Sequence, residues 1–116
     1  MIIKTGCDIV STERFTQAIE RSDTSFLKRI FTPLELARAQ TTHTLMGIFA
    51  AKESIIKALD LPADSWLTIE IAKLPSGKPI AYLLDYDTTN VMSSDISIAH
   101  DGAYACAISC FLLKGQ

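Results

Sequence analysis

Apolar and polar positions divide this chain into one strand, a series of helices and a second group of strands. Residues 2–10 are a mostly apolar run, as expected of a strand, and two of them break the pattern. Gly6 permits close approach of another part of the backbone, and Asp8 places a charge inside the apolar run. A carboxylate in that environment needs a partner, because burying an unpaired charge is costly.

Helical spacing follows the strand. A first helix, capped by Ser11 or Thr12, is predicted to reach about Arg21, and a short turn or second helix covers residues 26–30. The next helix is expected to extend to about Gln40. Its start is unusually well marked, because a capping box and a proline at the first helical position coincide there: Thr32, Pro33 and Glu35.

Residues 45–59 have the strongest helical pattern, after a break or bend at residues 41–44. Their apolar side chains fall on one stripe: Leu45, Ile48, Phe49, Ile55, Ile56 and Leu59. Lys52 lies within that stripe, so it either extends to the surface or an interface, or directs its charge into a phosphate pocket. Glu53 and Lys57 are four residues apart on the edge of the stripe and are therefore neighbours.

The remaining chain has strand spacing. Alternating apolar residues predict strands over residues 67–72, 80–84, around 96–100 and 104–113. Ser76-Gly77-Lys78-Pro79 is predicted to be a turn, and Asp101-Gly102 predicts the hairpin turn before the final strand. The order of a strand, helices and then antiparallel strands indicates an α+β fold, in a single domain over residues 1–116.

Composition narrows the class of protein. The chain has 116 residues, 48% of them hydrophobic, which is enough for one core, and its formal net charge of -2 gives no indication of bulk nucleic-acid binding. Cys7, Cys106 and Cys110 lack paired metal spacing, so we interpret them as reduced, small apolar fillers in a cytosolic protein. No signal peptide or membrane-spanning stretch is predicted, which favours a cytoplasmic location.

Three polar residues have both a structural and a functional interpretation. Asp8 could cap a helix or pair with Arg14, or it could bind a metal. Glu53 alone is more typical of a surface ion pair with Lys57, whereas Glu53 together with Asp8 would form a carboxylate pair typical of a Mg²⁺ site. His100, at a strand end, is either a hydrogen-bonded structural residue or a contact for phosphate.

Five short segments share their order and spacing with one enzyme family. They are Gly6-Cys7-Asp8-Ile9-Val10 followed by Arg14-Phe15, Phe31-Thr32-Pro33-Leu34-Glu35, Phe49-Ala50-Ala51-Lys52-Glu53-Ser54-Ile55-Ile56-Lys57-Ala58-Leu59, Gly77-Lys78-Pro79 and Ser97-Ile98-Ala99-His100. Together they resemble the holo-acyl-carrier-protein synthase family of phosphopantetheinyl transferases across nearly the whole chain. The Asp8 segment and the Ala-Ala-Lys-Glu helix with its following lysine are the most specific of them.

The resemblance implies transfer of phosphopantetheine from coenzyme A to a serine of an apo acyl carrier protein, with release of adenosine 3',5'-bisphosphate. It implies a homotrimer with active sites at subunit interfaces. By matching position, Asp8 and Glu53 would hold Mg²⁺, and Lys57 would contact the diphosphate. His100 and Lys78 would lie near coenzyme A. Glu53, acting through a bound water, is our first choice for the base that accepts the serine proton.

The resemblance also implies that the first helix faces the acidic carrier protein. The basic residues in and after this helix would form the carrier-binding patch: Arg14, Arg21, Lys28 and Arg29. An attractive patch of this kind speeds encounter with an acidic partner. The alternative is an ordinary solvated helix face.

Three departures from the family pattern concern the binding of coenzyme A. Ile48 stands where the family usually has arginine, Asp60-Leu61-Pro62 replaces a glycine-rich turn, and Ala99 stands where serine is common. Ile48 and the missing glycine turn favour one alternative function, a non-catalytic trimeric module that binds coenzyme A or a carrier. A second alternative is an unrelated Mg²⁺-dependent phosphohydrolase, which would need only the two carboxylates. The complete set of carboxylates and lysine favours the transferase.

Overall fold

Helices fill the first half of the chain after an initial strand, and strands make up most of the second half. The computed structural model describes residues 1–22, 25–39 and 41–115. In chain order its elements are β1 Ile2–Ser11, α1 Thr12–Ser22, α2 Ser25–Ile30, α3 Pro33–Arg38, α4 Thr42–Leu59, a 3₁₀ helix Ser65–Thr68, β2 Ile69–Lys73, β3 Pro79–Leu83, a 3₁₀ helix Thr88–Asn90, β4 Val91–Asp101 and β5 Tyr104–Leu113. The predicted α+β class is confirmed.

The strands form two antiparallel sheets. β5 lies between β1 and β4 in a three-stranded sheet, while β2 pairs with β3 separately. Burial alternates along β5, because successive side chains point to opposite faces. The inner face packs against α4 through buried residues, most of them small: Ala105, Ala107, Ser109, Phe111 and Leu113. The outer face is exposed and includes Ile3, Cys7, Ile9, Tyr104, Cys106, Ile108 and Cys110.

Gly6 lets β1 lie directly against α4. A Cβ atom at this position would be 1.8 Å from the Ser54 carbonyl oxygen and 2.8 Å from the Ala58 nitrogen. The close approach predicted at Gly6 is therefore confirmed, although the strand continues through the glycine without interruption. Asp8 lies two residues further on the same face, so the same contact directs its carboxylate toward α4.

α4 is buried around most of its circumference, so the single apolar stripe expected from the sequence was too narrow. Of the predicted stripe, Leu45, Ile48, Ile55 and Ile56 are buried and Phe49 and Leu59 are partly buried. Residues outside the stripe are buried too: Met46, Ala50, Ala51 and Ser54. The helix also starts earlier than predicted, because the Thr41 hydroxyl accepts a hydrogen bond from the Thr44 nitrogen at 3.1 Å and caps it.

The turn after α4 is made without glycine. The helix ends at Leu59, and the C-cap residue Asp60 adopts the left-handed conformation (φ 54°) that glycine usually supplies. Aspartate tolerates this conformation better than most residues, because its short polar side chain can form local hydrogen bonds.

Both expectations for Lys52 were wrong. The side chain is fully buried and forms a 2.6 Å ion pair with Glu35, which is also fully buried. Lys52 Nζ donates further hydrogen bonds to the carbonyl oxygens of Ile30 (2.6 Å) and Trp66 (3.0 Å). Burial lowers the pKa of Lys52, and the ion pair with Glu35 acts in the opposite direction. Lys52 therefore joins α4 to α2, α3 and the 3₁₀ helix Ser65–Thr68, and it lines neither of the cavities described below.

Glu35 has a second role beyond the predicted capping box. The box is confirmed, since Thr32 N donates to Glu35 Oε1 (2.8 Å) and Glu35 N donates to Thr32 Oγ1 (3.2 Å). Glu35 Oε2 also accepts a hydrogen bond from the Ile71 nitrogen at 2.7 Å, which ties α3 to β2. The predicted end near Gln40 lies outside the described residues, and α3 itself ends at Arg38.

Two other predictions need correction. Leu67 belongs to the 3₁₀ helix, so β2 begins at Ile69. Cys7, Cys106 and Cys110 are exposed on the outer face and do not fill the core. None of the described helices combines the length and apolar character needed to cross a membrane.

Candidate active site

Two carboxylates meet where β1 packs against α4. Asp8 lies on the inner face of β1, and Glu53 extends from the middle of α4. Both line a cavity of about 630 Å³, together with Arg14, Phe15 and Phe49. The structure therefore brings together the two residues that the sequence proposed as a pair.

The environment of Glu53 disfavours its charged form. Burial, and to a lesser extent the charge of Asp8, raises the pKa of the Glu53 carboxyl, while a hydrogen bond from Trp66 and the charge of Lys57 lower it. The Trp66 indole Nε1 donates to Glu53 Oε1 at 3.3 Å. Since the two carboxylates repel each other, a cation bound between them would relieve that repulsion.

Lys57 pairs with Asp8. Its Nζ is 3.0 Å from Asp8 Oδ1 and donates a second hydrogen bond, also 3.0 Å, to the Cys7 carbonyl. The hydrogen bond to Asp8 raises the pKa of Lys57. Two structural alternatives from the sequence are therefore wrong, because no salt bridge between described residues joins Asp8 to Arg14 or Glu53 to Lys57. The Lys57 side chain is 55% exposed, so it can also reach a ligand in solution.

The donors fit a hard divalent cation. Mg²⁺ is typically held by one or two carboxylates, with waters and substrate phosphates completing the octahedron. Asp8 and Glu53 provide these oxygens beside an open cavity. Within the described ranges, no three or more His, Cys, Asp or Glu residues are grouped so that they could hold a metal, as a closed structural zinc site would require.

His100 lines a different cavity, of about 690 Å³. Its ring stacks on His43 with 4.0 Å between ring centroids, and its Nε2 lies 3.1 Å from the His43 carbonyl oxygen. Gly47 makes room, because a Cβ atom there would be 3.0 Å from His100 Nε2. Arg38 and Lys73 contribute positive charge to the lining. The linings of this cavity and of the carboxylate cavity share no residue.

Two acidic residues of the His100 cavity have partners. Glu35 is paired with Lys52, and Glu70 Oε2 accepts a hydrogen bond from the Thr32 hydroxyl at 2.7 Å. Arg38 and Lys73 form no salt bridge with another described residue, so both are available for an anionic ligand.

Lys78 lies beside the His100 cavity and does not line it, although Gly77 and Pro79 do. Its Nζ pairs with Asp95 (2.9 Å) and donates to the Ile96 carbonyl (3.1 Å). The hydrogen bond from Lys78 lowers the pKa of Asp95. Contact between Lys78 and a nucleotide would require the lysine to release Asp95 or to use its third donor hydrogen.

The four predicted carrier-binding residues are exposed on α1 and α2: Arg14, Arg21, Lys28 and Arg29. α1 and α2 contact each other, so the four residues lie on two neighbouring helices. None of them takes part in a salt bridge between described residues. Arg14 also lines the carboxylate cavity, so this basic surface begins at the candidate active site.

Sequence reasoning missed three residues around these cavities. Trp66 contacts Glu53, and a single tryptophan shortly after a helix that carries a candidate metal ligand was a usable signal. Arg38 and Lys73 carry no comparable signal, because isolated basic residues are common on ordinary protein surfaces.

Comparisons with known proteins converge on one family. The profile of the 4'-phosphopantetheinyl transferase superfamily matches residues 4–109. The holo-[acyl-carrier-protein] synthase of Sulfurovum sp. (strain NBC37-1) is 37% identical over 112 residues, covering 92% of this chain and 94% of that protein. The protein of the same description from Nautilia profundicola is 36% identical, covering 94% of this chain and 98% of its own length.

Solved structures agree with the sequence comparisons. A Helicobacter pylori holo-[acyl-carrier-protein] synthase in complex with coenzyme A superposes with a TM-score of 0.84 at 31% identity, covering 93% of this chain and 99% of that one. A Neisseria meningitidis holo-[acyl-carrier-protein] synthase gives a TM-score of 0.84 at 26% identity, with coverage of 94% and 97%.

Proposed function

Because this chain belongs to the 4'-phosphopantetheinyl transferase superfamily, as one of its holo-acyl-carrier-protein synthases, we propose that it carries out their transfer at a magnesium site formed by Asp8 and Glu53. The enzyme transfers phosphopantetheine from coenzyme A to an acyl carrier protein. The observation that carries the magnesium proposal is the meeting of two carboxylates, from β1 and α4, in one open cavity.

Asp8 and Glu53 in the carboxylate cavity, and Lys57 paired with Asp8, have distinct roles in the proposed reaction. Mg²⁺, when bound by Asp8 and Glu53, would neutralise charge on the diphosphate of coenzyme A. Glu53 accepts the proton of the carrier serine through a bound water while the serine oxygen attacks the phosphorus that bears pantetheine. The bond from this phosphorus to the bridging oxygen of the diphosphate breaks, and adenosine 3',5'-bisphosphate leaves with that oxygen. Lys57 stabilises the charge on this leaving group.

The His100 cavity is the proposed site for the phosphates of the nucleotide end of coenzyme A. Its support is the positive charge that Arg38 and Lys73 bring to a lining that also includes the His100 ring. Lys78 is proposed as a further contact at the edge of this cavity.

A homotrimer would explain how two separate cavities serve one reaction. The outer face of the three-stranded sheet is an exposed apolar surface, with Ile3 and Ile9 each 67% exposed and Ile108 53% exposed. Such surfaces mark protein–protein contacts in soluble proteins. In the proposed assembly, one subunit supplies Asp8 and Glu53, and its neighbour supplies the His100 cavity.

The carrier protein is proposed to dock on α1 and α2. Arg14, Arg21, Lys28 and Arg29 are exposed there, and none of them is neutralised by a salt bridge to another described residue. An acidic carrier helix would be attracted to this surface and guided toward the cavity that Arg14 lines.

Substitution of the two carboxylates tests the magnesium site. Asp8→Ala and Glu53→Ala should each abolish transfer to an apo carrier while circular dichroism shows a folded protein. Asp85→Ala, which removes an exposed carboxylate outside both cavities, serves as the matched control and should transfer normally. Full activity of either cavity variant in the presence of magnesium would contradict the proposal.

A coenzyme A-binding module without transferase activity is the second candidate. The observation that favours it is Ile48, which gives the His100 cavity an apolar wall where the family resemblance leads one to expect arginine. Calorimetric titration with coenzyme A, run beside the transfer assay, separates the two functions. Binding without transfer to any of several carriers would favour the module, whereas transfer excludes it.

A further inference from the structure

Trp66 is the single tryptophan of the chain, and its side chain contacts Glu53, one member of the carboxylate pair. It lies on the 3₁₀ helix Ser65–Thr68, and its half-buried indole donates from Nε1 to Glu53 Oε1 at 3.3 Å. The ring packs near Phe49, with 6.4 Å between ring centroids and 40° between ring planes. Both the aromatic contact and the hydrogen bond therefore connect Trp66 to α4.

The backbone of Trp66 is held from the same helix. Lys52 Nζ donates to the Trp66 carbonyl at 3.0 Å, and Lys52 is itself fixed by its fully buried ion pair with Glu35. Lys52 and Glu53 are consecutive residues of α4. Lys52 donates a hydrogen bond to the main chain of Trp66, and Glu53 accepts one from its side chain. This arrangement restricts both the position of the 3₁₀ helix and the direction of the indole N–H.

We propose that Trp66 is a positioning residue for the Glu53 carboxylate as a cation ligand, an inference that rests on the proposed magnesium site. The indole occupies Oε1 and restricts rotation of the carboxylate, which leaves Oε2 as the ligating oxygen. A neutral N–H suits this role, because it orients the ligand without bringing a positive charge that would compete with the cation. Hydrogen-bond partners of this kind commonly tune metal affinity.

Trp66→Phe removes the N–H and keeps an aromatic ring beside Phe49. The magnesium concentration that half-activates transfer should rise about 10-fold, while kcat at saturating magnesium stays close to the wild-type value. Mn²⁺ binding, measured by electron paramagnetic resonance without any substrate, should weaken by a similar factor. Tyr86→Phe removes the polar hydrogen of an aromatic residue outside both cavities and should leave both values unchanged.

The wild-type protein offers a second test that does not depend on a Trp66 variant. With one tryptophan in the chain, its fluorescence reports on Trp66 alone. Addition of Mg²⁺ should change the emission, with a midpoint that matches the half-activating concentration, and Asp8→Asn should abolish the change. An emission that does not respond to magnesium in a wild-type protein that needs magnesium for transfer would overturn the inference.

Failure of the Trp66 inference can be distinguished from failure of the proposed function. If Trp66→Phe binds Mn²⁺ and responds to magnesium as the wild type does, Trp66 does not position Glu53, and the transferase proposal stands. If the wild type transfers the group but neither binds Mn²⁺ nor needs magnesium, the metal site is wrong and the role of Trp66 falls with it.

Discussion

Gly6→Ala tests the contact that brings Asp8 to Glu53. An added Cβ would lie 1.8 Å from the Ser54 carbonyl oxygen, whereas real Cβ contacts are essentially never shorter than 3.0 Å. The nearest neighbours are backbone atoms of α4, so no side-chain rotation can relieve the clash, and β1 must shift by about 1.2 Å relative to the helix. Because Asp8 is two residues away on the same face, its carboxylate should move with the strand.

The size of the effect follows from this clash. Overpacking of a core lowers the free energy of unfolding by about 1–3 kcal/mol. A clash with backbone atoms belongs at the upper end, about 3 kcal/mol. For a chain of this length that free energy corresponds to a fall in Tm of about 12 °C. A displacement of about 1 Å at reacting groups can reduce kcat/KM by about 100-fold.

Thermal unfolding at fixed protein concentration and the transfer rate together provide the assay. The matched control is Gly102→Ala, which adds the same methyl group in open space at φ +57°. This substitution should cost only the free energy of placing alanine in the left-handed backbone conformation, about 1 kcal/mol. The Gly102→Ala protein should retain its transfer activity. A Gly6→Ala protein that melts no lower than this control and transfers at the wild-type rate would refute the reasoning.

Three further predictions concern the carrier surface, the outer face and the charge of Glu53. Arg14→Glu should lower kcat/KM for the carrier by about 10-fold at low salt and weaken its salt dependence; unchanged carrier kinetics would remove this surface from the proposal. Ile108→Lys should give smaller particles in light scattering and lose transfer, whereas Leu84→Lys, also at an exposed apolar residue, should do neither. In metal-free protein, Glu53→Gln should raise Tm at neutral pH. Because the raised pKa of Glu53 means that its ionised form destabilises the folded protein, the gain in Tm should vanish as the pH falls through that pKa toward 4.5. A gain in Tm that does not depend on pH would contradict the assignment.

Local rules predicted the elements well and the tertiary partners poorly. The capping box at Thr32 was visible because its residues lie within one turn, but nothing local shows that Glu35 also receives Lys52 and the Ile71 nitrogen. Lys52 was therefore expected at a surface or a phosphate pocket. A charge on an apolar helical stripe indicates that some partner exists, and only the fold determines which.

The cysteines illustrate a different limit. β5 is apolar on both faces, since Ala105 and Ala107 alternate with Cys106 and Ile108. Periodicity shows that the two sets point in opposite directions, but it does not show which set meets the helix. Asp8 was easier to place, because Gly6 on the same face marks the point of close approach.

The mass of an apo acyl carrier protein after incubation with this enzyme, coenzyme A and magnesium tests the central claim most directly. We predict a gain of one phosphopantetheine group per carrier, which disappears when a chelator removes magnesium or when Ala replaces the carrier serine. An unchanged mass with several apo carriers would contradict the transferase, and an undiminished gain in chelator would contradict the magnesium site at Asp8 and Glu53.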